Sequence, residues 1–162
     1  MKRYIRFLFF IVLISIFISA CAARRASSPA PLQCNVYVIN QLSKKGIHLP
    51  YHNANGLDRY MISSPNWKQI PRLSKKKLDH KEAYKLVRAG KIVIATYNTH
   101  SKKSGHIAIL ANRKIMYWSK SFNAYVPFVD GSINGKPAKI TPLSKQFSSD
   151  KEINMNYFAY AR

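Results

Sequence analysis

The chain has 162 residues, 47% of them apolar, which is enough for one domain with an ordinary core. Twenty-seven Lys and Arg stand against six Asp and Glu, and the resulting formal charge of +21 calls for an anionic partner: nucleic acid, a membrane surface or a cell-wall polymer. No internal repeat or long low-complexity segment is present, which sets aside repeat architectures.

The N-terminus chooses among those partners. Lys2, Arg3 and Arg6 precede an apolar run of twelve residues, Phe7 to Ile18, and small residues follow, the layout of an export signal over residues 1–20. A membrane-spanning helix needs about 20 apolar residues, so a permanent transmembrane anchor is the weaker reading. Export removes nucleic acid as a natural partner, and losing the three basic residues of the signal lowers the charge only from +21 to +18. Ile18-Ser19-Ala20-Cys21 resembles the lipobox of bacterial lipoproteins, with Cys21 lipidated; the competing parse is an ordinary signal-peptidase site at Ala20-Cys21-Ala22. The expected location is periplasmic, at the outer membrane as a lipoprotein, or secreted. Either parse leaves Cys34 as the one remaining thiol in a compartment where structural cysteines come in pairs.

Residues 21–32 are small and proline-bearing and predict a flexible linker. Val38, Ile39 and Leu42 are spaced for one buried face of a helix from about Cys34 to Lys45, with Gly46 as its stop. Asn53 or Asn55 suits the cap of a short second helix, and a polar loop with Trp67 and Pro71 follows. Asp79-His80-Lys81-Glu82 has the form of a capping box for a third helix ended by Gly90. From Lys91 the pattern turns β-rich. Lys91 to Tyr97 and Gly105 to Ala111 read as paired strands joined by a turn over Asn98 to Ser104. Further strands are expected near Lys114 to Trp118, Ala124 to Val129 and Asn154 to Tyr160, with Thr141-Pro142 opening a helical turn. Helices followed by antiparallel strands predict an α+β domain.

Two residues in this order carry chemistry. A cysteine in the first turn of a helix meets unpaired N–H groups and the positive end of the helix dipole, which favour thiolate and can bring its pKa to roughly 3.5–7.5. The alternative for Cys34 is a small apolar filler. His106, opening its strand after Gly105, suits a base facing the Cys34 helix: it would take the thiol proton and later protonate a leaving amine. The alternative for His106 is a hydrogen-bonded core histidine. His48, His52, His80 and His100 lack partners at metal-ligand spacing and read as surface or loop residues, so no metal and no cofactor is expected. Lys75-Lys76-Lys77 and Lys102-Lys103 read as solvated loops, or as a basic rim for an anionic polymer.

The ordered set of a helix-opening cysteine, Asn53-Ala54-Asn55 and Gly105-His106-Ile107-Ala108-Ile109-Leu110 resembles the papain-like peptidoglycan hydrolases of the NlpC-type and CHAP superfamily. Within it, the type VI secretion amidase effectors are the nearest likeness. They share Cys34-x-x-x-Val38, the Gly46-Ile47-x-x-Pro50 element, a strand like Gly90 to Ala95, a Gly131-Ser132-Ile133 turn and a Tyr-rich last strand. The likeness spans residues 33 to 162. It implies a papain-like fold with N-terminal helices on a central antiparallel sheet. It also implies hydrolysis of amide bonds in peptidoglycan stem peptides, most typically between D-glutamate and the diamino acid, with Asn53 and Asn55 binding substrate. Such a protein would be a monomer, held to the membrane by its N-terminal lipid. The resemblance also brings an immunity protein into the set of partners. Asp130 stands where these effectors carry a third polar residue, and a carboxylate there would fix the imidazole tautomer. Asp-Gly is equally a hairpin signal, and Asn123 and Asn112 are the substitutes. The chain departs from the family in its export signal, which favours remodelling of the producer's wall or release over an injected toxin. It departs also in having Gln33 before, and Asn35-Val36 after, the nucleophile. The rival readings are a non-catalytic basic envelope-binding lipoprotein and an acyl transferase on the same scaffold.

Overall fold

The first helix, α1, runs Cys34–Ser43 and buries Asn35, Val38 and Leu42 along one side. Gly46, at φ 74, reverses the chain, and the Ile47 amide returns to the Leu42 carbonyl at 3.0 Å. The second helix, α2, spans Ala54–Ser63, with Asn53 as its cap through a bond from the Gly56 amide to Asn53 Oδ1 at 2.9 Å. The third, α3, spans His80–Arg88, and its Asp79 cap accepts from the Glu82 amide at 2.9 Å, as the capping box indicated. The computed structural model of the chain describes residues 33–101, 105–133, 136–137 and 139–161. The export signal, Cys21, the linker up to Leu32 and Lys102-Lys103 lie outside the described residues.

Strands β1 (Trp67–Gln69), β2 (Val93–Tyr97), β3 (His106–Leu110), β6 (Phe128–Asp130), β9 (Thr141–Pro142) and β10 (Met155–Tyr160) form one sheet in the order β1-β10-β2-β3-β6-β9, every pair antiparallel. Two small hairpins stand apart from it: β4 (Tyr117–Ser119) with β5 (Ala124–Val126), and β7 (Ser132–Ile133) with β8 (Lys136–Pro137). The domain is therefore α+β, as its sequence order predicts.

Three elements depart from the sequence expectations. Trp67 belongs to a strand and not a loop, because it pairs across the chain with Tyr160 and the two rings lie 5.0 Å apart. The strand expected over Ala124 to Val129 breaks at Pro127, which has no amide for a ladder, so β5 pairs with β4 while β6 pairs with β3. Thr141 and Pro142 pair with β6 before Pro142 caps a 3-10 turn at Leu143–Lys145.

Alternation along the central strands builds two cores. Ile94, Ile107 and Phe158 face α1 and α2 and pack with Val38, Leu42, Leu57 and Met61; Val93, Ala95, Ala108 and Leu110 face α3 and pack with Val87, Leu143, Phe147 and Tyr157. Helix α2 is fixed to the sheet by the buried carboxylate of Asp58. Its Oδ1 accepts from Thr96 Oγ1 at 2.5 Å and Asn156 Nδ2 at 3.0 Å, and its Oδ2 from Asn98 Nδ2 at 2.9 Å. All three donors are neutral, so the hydrogen bonds themselves stabilise the charge. Asp58→Ala should leave the buried Thr96 and Asn98 donors unmatched and lower stability by about 3 kcal/mol, read by chemical denaturation, with Asp58→Asn costing less.

Candidate active site

Cys34 is the first residue of α1, half-buried and free of any disulfide. Its thiol meets the main-chain amides of Ile107, Asn35 and Cys34 itself, which pull its pKa down, but burial outweighs them and pushes the thiol above its ordinary value. This corrects the expectation of a thiolate poised by the helix terminus: desolvation of the sulfur beside Ile107 wins over the amides.

The contact with Ile107 places the sulfur at a particular edge. The Ala111 amide bonds the Phe128 carbonyl at 2.9 Å, and Ile109 pairs with Asp130, so the odd-numbered amides of β3 point toward β6. Pairing with β6 ends at Ile109, and beyond that point the Ile107 amide meets the thiol. Cys34 therefore lies where β3 and β6 part, one residue from His106.

His106 approaches this rim from the other face. It stands opposite Tyr97 in register, stacks on Phe147 with ring centroids 4.8 Å apart, and shares the side of Ala108 and Leu110. The expectation that its side chain faces the Cys34 helix is thus corrected by the two-residue alternation of the strand: the residue facing α1 is Ile107. His106 Nε2 lies 3.4 Å from Gln146 Oε1, and Gln146 Nε2 donates to Thr141 Oγ1 at 3.2 Å, which turns the amide oxygen toward the ring. That oxygen accepts only from an N–H, so this contact favours the tautomer that carries its proton on Nε2 and leaves Nδ1 as the basic nitrogen. Burial lowers the His106 pKa, the Gln146 bond raises it and the charge of Lys151 lowers it again; the imidazole is neutral near pH 7.

Asp130 does not hold the imidazole. Its Oδ1 accepts from the Tyr37 hydroxyl at 2.7 Å, and it pairs with Ile109, whose side chain faces α1, so the carboxylate lies on the α1 side and bolts β6 to that helix. Burial, followed by the bond to Asp130 and its charge, pushes Tyr37 up to about 12. The Asp-Gly pair is no tight hairpin here either: a Cβ on Gly131 would run into Gln146 Oε1 and lie 3.1 Å from Ala108 Cβ, so Gly131 is the gap that admits Gln146 to His106. The substitutes are elsewhere. Asn112 Oδ1 accepts from Arg88 Nη1 at 2.7 Å, and Asn123 occupies the loop between β4 and β5 at φ 46.

Asn53 and Asn55, expected to bind substrate, are spent on the fold. Asn53 caps α2. Asn55 is buried; its Nδ2 donates to Thr99 Oγ1 at 2.8 Å and the Ser101 carbonyl at 3.2 Å, and its Oδ1 accepts from the Thr99 amide at 3.1 Å. It clamps the loop that leads into His106, and Gly105 makes room for it, since a Cβ there would strike Asn55 Oδ1 and the Tyr97 carbonyl. Asn35 Nδ2 holds the His52 carbonyl at 2.8 Å, fixing the loop before α2 to the Cys34 turn. Gln146, Tyr37 and the Ile107 amide are site residues that no motif in the sequence announces. The chain matches no protein-family model and no curated sequence.

Among the described residues, no three His, Cys, Asp or Glu side chains gather to hold a metal ion. His48, His52 and His100 are exposed, but His80, expected at the surface, is buried. Its Nδ1 meets the Tyr157 hydroxyl at 2.8 Å, and its Nε2 lies 3.5 Å from Glu152 Oε1. That separation favours the imidazolium, but Oε1 already accepts from the Leu78 amide at 2.8 Å, and burial prevails: His80 is held down at about 4, against a smaller upward pull from Asp79 and alongside a downward push from Lys77. A histidine depressed in the folded state binds its proton on unfolding first. Stability is therefore full above about pH 6.5 and falls as the pH drops toward 4, by roughly 3 kcal/mol. Denaturant titrations at pH 7 and pH 4 should show this loss, and His80→Phe should flatten it.

Proposed function

We propose that residues 33–162 form a papain-like cysteine hydrolase that cleaves amide bonds in the peptide stems of peptidoglycan. The observation that supports this reading is that the Cys34 thiol lies on the Ile107 amide, at the residue next in the strand to His106, whose Nε2 lies against Gln146. Engaging Nε2 leaves Nδ1 to exchange protons with the sulfur. His106 takes the thiol proton as the sulfur attacks the substrate carbonyl; the collapsing adduct expels the amine, which receives that proton, and leaves a thioester. Water deprotonated by His106 then releases the acid and regenerates the thiol. Main-chain amides of the first turn of α1 are suited to hold the oxyanion.

The substrate class rests on the sequence resemblance, on the export signal, which would deliver the domain to the cell wall, and on the charge of +18 left after the signal is lost, set against an anionic polymer. Lipidation at Cys21 would tether the domain to a membrane, and the role favoured is remodelling of the producer's own wall. Mass spectrometry of muropeptides after digestion of purified peptidoglycan tests the reading: new amine and acid termini in the stems support it, an unchanged muropeptide profile rejects it, and a stem joined to an added amine identifies a transferase. A neutral, half-buried thiol favours one other reading, a non-catalytic envelope-binding lipoprotein, and that unchanged profile is its signature.

A further inference from the structure

A groove of about 640 Å³ lies between α3 and the β4–β5 hairpin, on the α3 side of the sheet, with neither Cys34 nor His106 in its lining. One wall is aromatic. Trp118 and Tyr125 sit directly opposite in register, with ring centroids 5.1 Å apart at 65°, and are 50% and 55% exposed; Leu73, 64% exposed, continues the apolar surface. Such a contiguous exposed patch on a small domain marks a binding surface.

The facing side is cationic. Lys81 and Lys85, one turn apart on α3, line the groove with Lys77, and the Ser74 to Lys77 bridge carries Lys75 and Lys76 at its tip. Asp79 and Glu82 also line the groove: Asp79 caps α3, and Glu82 lies 3.7 Å from Lys85 Nζ in a solvent-exposed pair weak enough to leave Lys85 open to a ligand anion. Of the Lys75-Lys76-Lys77 run, which reads in the sequence as either a solvated loop or a basic rim, Lys77 lines the groove.

We infer that this groove binds an anionic saccharide chain, its sugar faces stacked on Trp118 and Tyr125 and its carboxylate or phosphate groups held by Lys77, Lys81 and Lys85. Sugar rings present a flat C–H face that an aromatic ring covers, and ammonium groups at the opposite wall meet the charges between rings. The volume lies within the roughly 300–1,000 Å³ of ligand-binding clefts. A concave groove suits a chain lying along it, whereas attachment to a bilayer favours an apolar face that inserts flat. The inference stands apart from the Cys34 chemistry.

The test is isothermal titration of the full chain, in neutral detergent, with hexagalacturonic acid and with the same hexamer fully methyl-esterified. Saturable binding of the acid is expected, weaker by about tenfold for the ester and by about tenfold in Trp118→Ala, Tyr125→Ala and the Lys81→Gln/Lys85→Gln pair. Cys34→Ala should bind as the parent does. The substituted side chains are exposed, so melting temperatures should stay near the parent's and a loss of affinity reports the groove. Equal affinity for acid and ester, or affinity untouched by the aromatic and lysine variants, overturns the inference. So does binding that follows phosphatidylglycerol doped into the micelles and ignores the hexamer, which would assign the surface to lipid.

Discussion

Cys34→Ala should reduce cleavage of purified peptidoglycan by a factor on the order of 10⁴ or more, because Cys34 is the one thiol among the described residues and the proposed acyl intermediate is carried on it. The melting temperature should move little, since the substitution removes one atom from a half-buried position at a helix start. A second signature follows from the electrostatics. Burial holds the thiol protonated and keeps His106 neutral, so under the proposed mechanism neither group is charged before substrate arrives. Iodoacetamide should then label Cys34 more slowly at pH 7 than it labels a free thiol, while kcat/KM should climb on an acid limb below the ordinary histidine value and be level by pH 7. Undiminished digestion by Cys34→Ala would remove the cysteine mechanism altogether.

What the sequence disclosed and what it concealed divide along a physical line. Periodicity and caps are local, and the three helices came out with their stops at Gly46 and Gly90 and their caps at Asn53 and Asp79 where the residues pointed. Strand pairing is not local. Nothing near Trp67 announces Tyr160 ninety-odd residues away, and the partition of Ala124 to Val129 between two sheets depends on Pro127 lacking an amide. The site shows the same division. Cys34 and His106 are legible because their neighbours, a helix start and a Gly-led strand, lie beside them in the chain. Which face His106 takes depends on where β3 begins its alternation, and a shift of one residue would reverse it. Gln146 was hidden for another reason: an amide in a polar stretch carries no distinguishing pattern until Gly131, Thr141 and the 3-10 turn at Leu143–Lys145 deliver it to the ring. Asp130 misled because a carboxylate is the commoner partner of a catalytic imidazole, whereas its register opposite Ile109 turns it toward Tyr37.

His106→Ala should cost the reaction roughly 10²–10⁴-fold, the usual contribution of a general base, and the residues around it separate catalysis from architecture. Gln146→Ala removes the acceptor at Nε2 and frees the tautomer, with an expected loss of about ten- to a hundredfold in kcat. Gln146→Glu puts a charge there instead. A carboxylate beside the ring favours imidazolium, so the acid limb of kcat/KM should move up by about one pH unit, and Lys151→Met should move it the same way by removing a repelling cation. A residue serving only the fold would change the melting temperature and leave that limb in place. Gly131→Ala should reproduce the Gln146→Ala defect with an added stability loss, since the new Cβ occupies the space of Gln146 Oε1 and presses on Ala108. Asp130→Asn should be nearly silent, because an amide oxygen still accepts from the Tyr37 hydroxyl. The decisive comparison is Asp130→Asn against Gln146→Ala in the same digestion assay: a large loss in the first with none in the second would return the orienting role to the carboxylate and take it from Gln146.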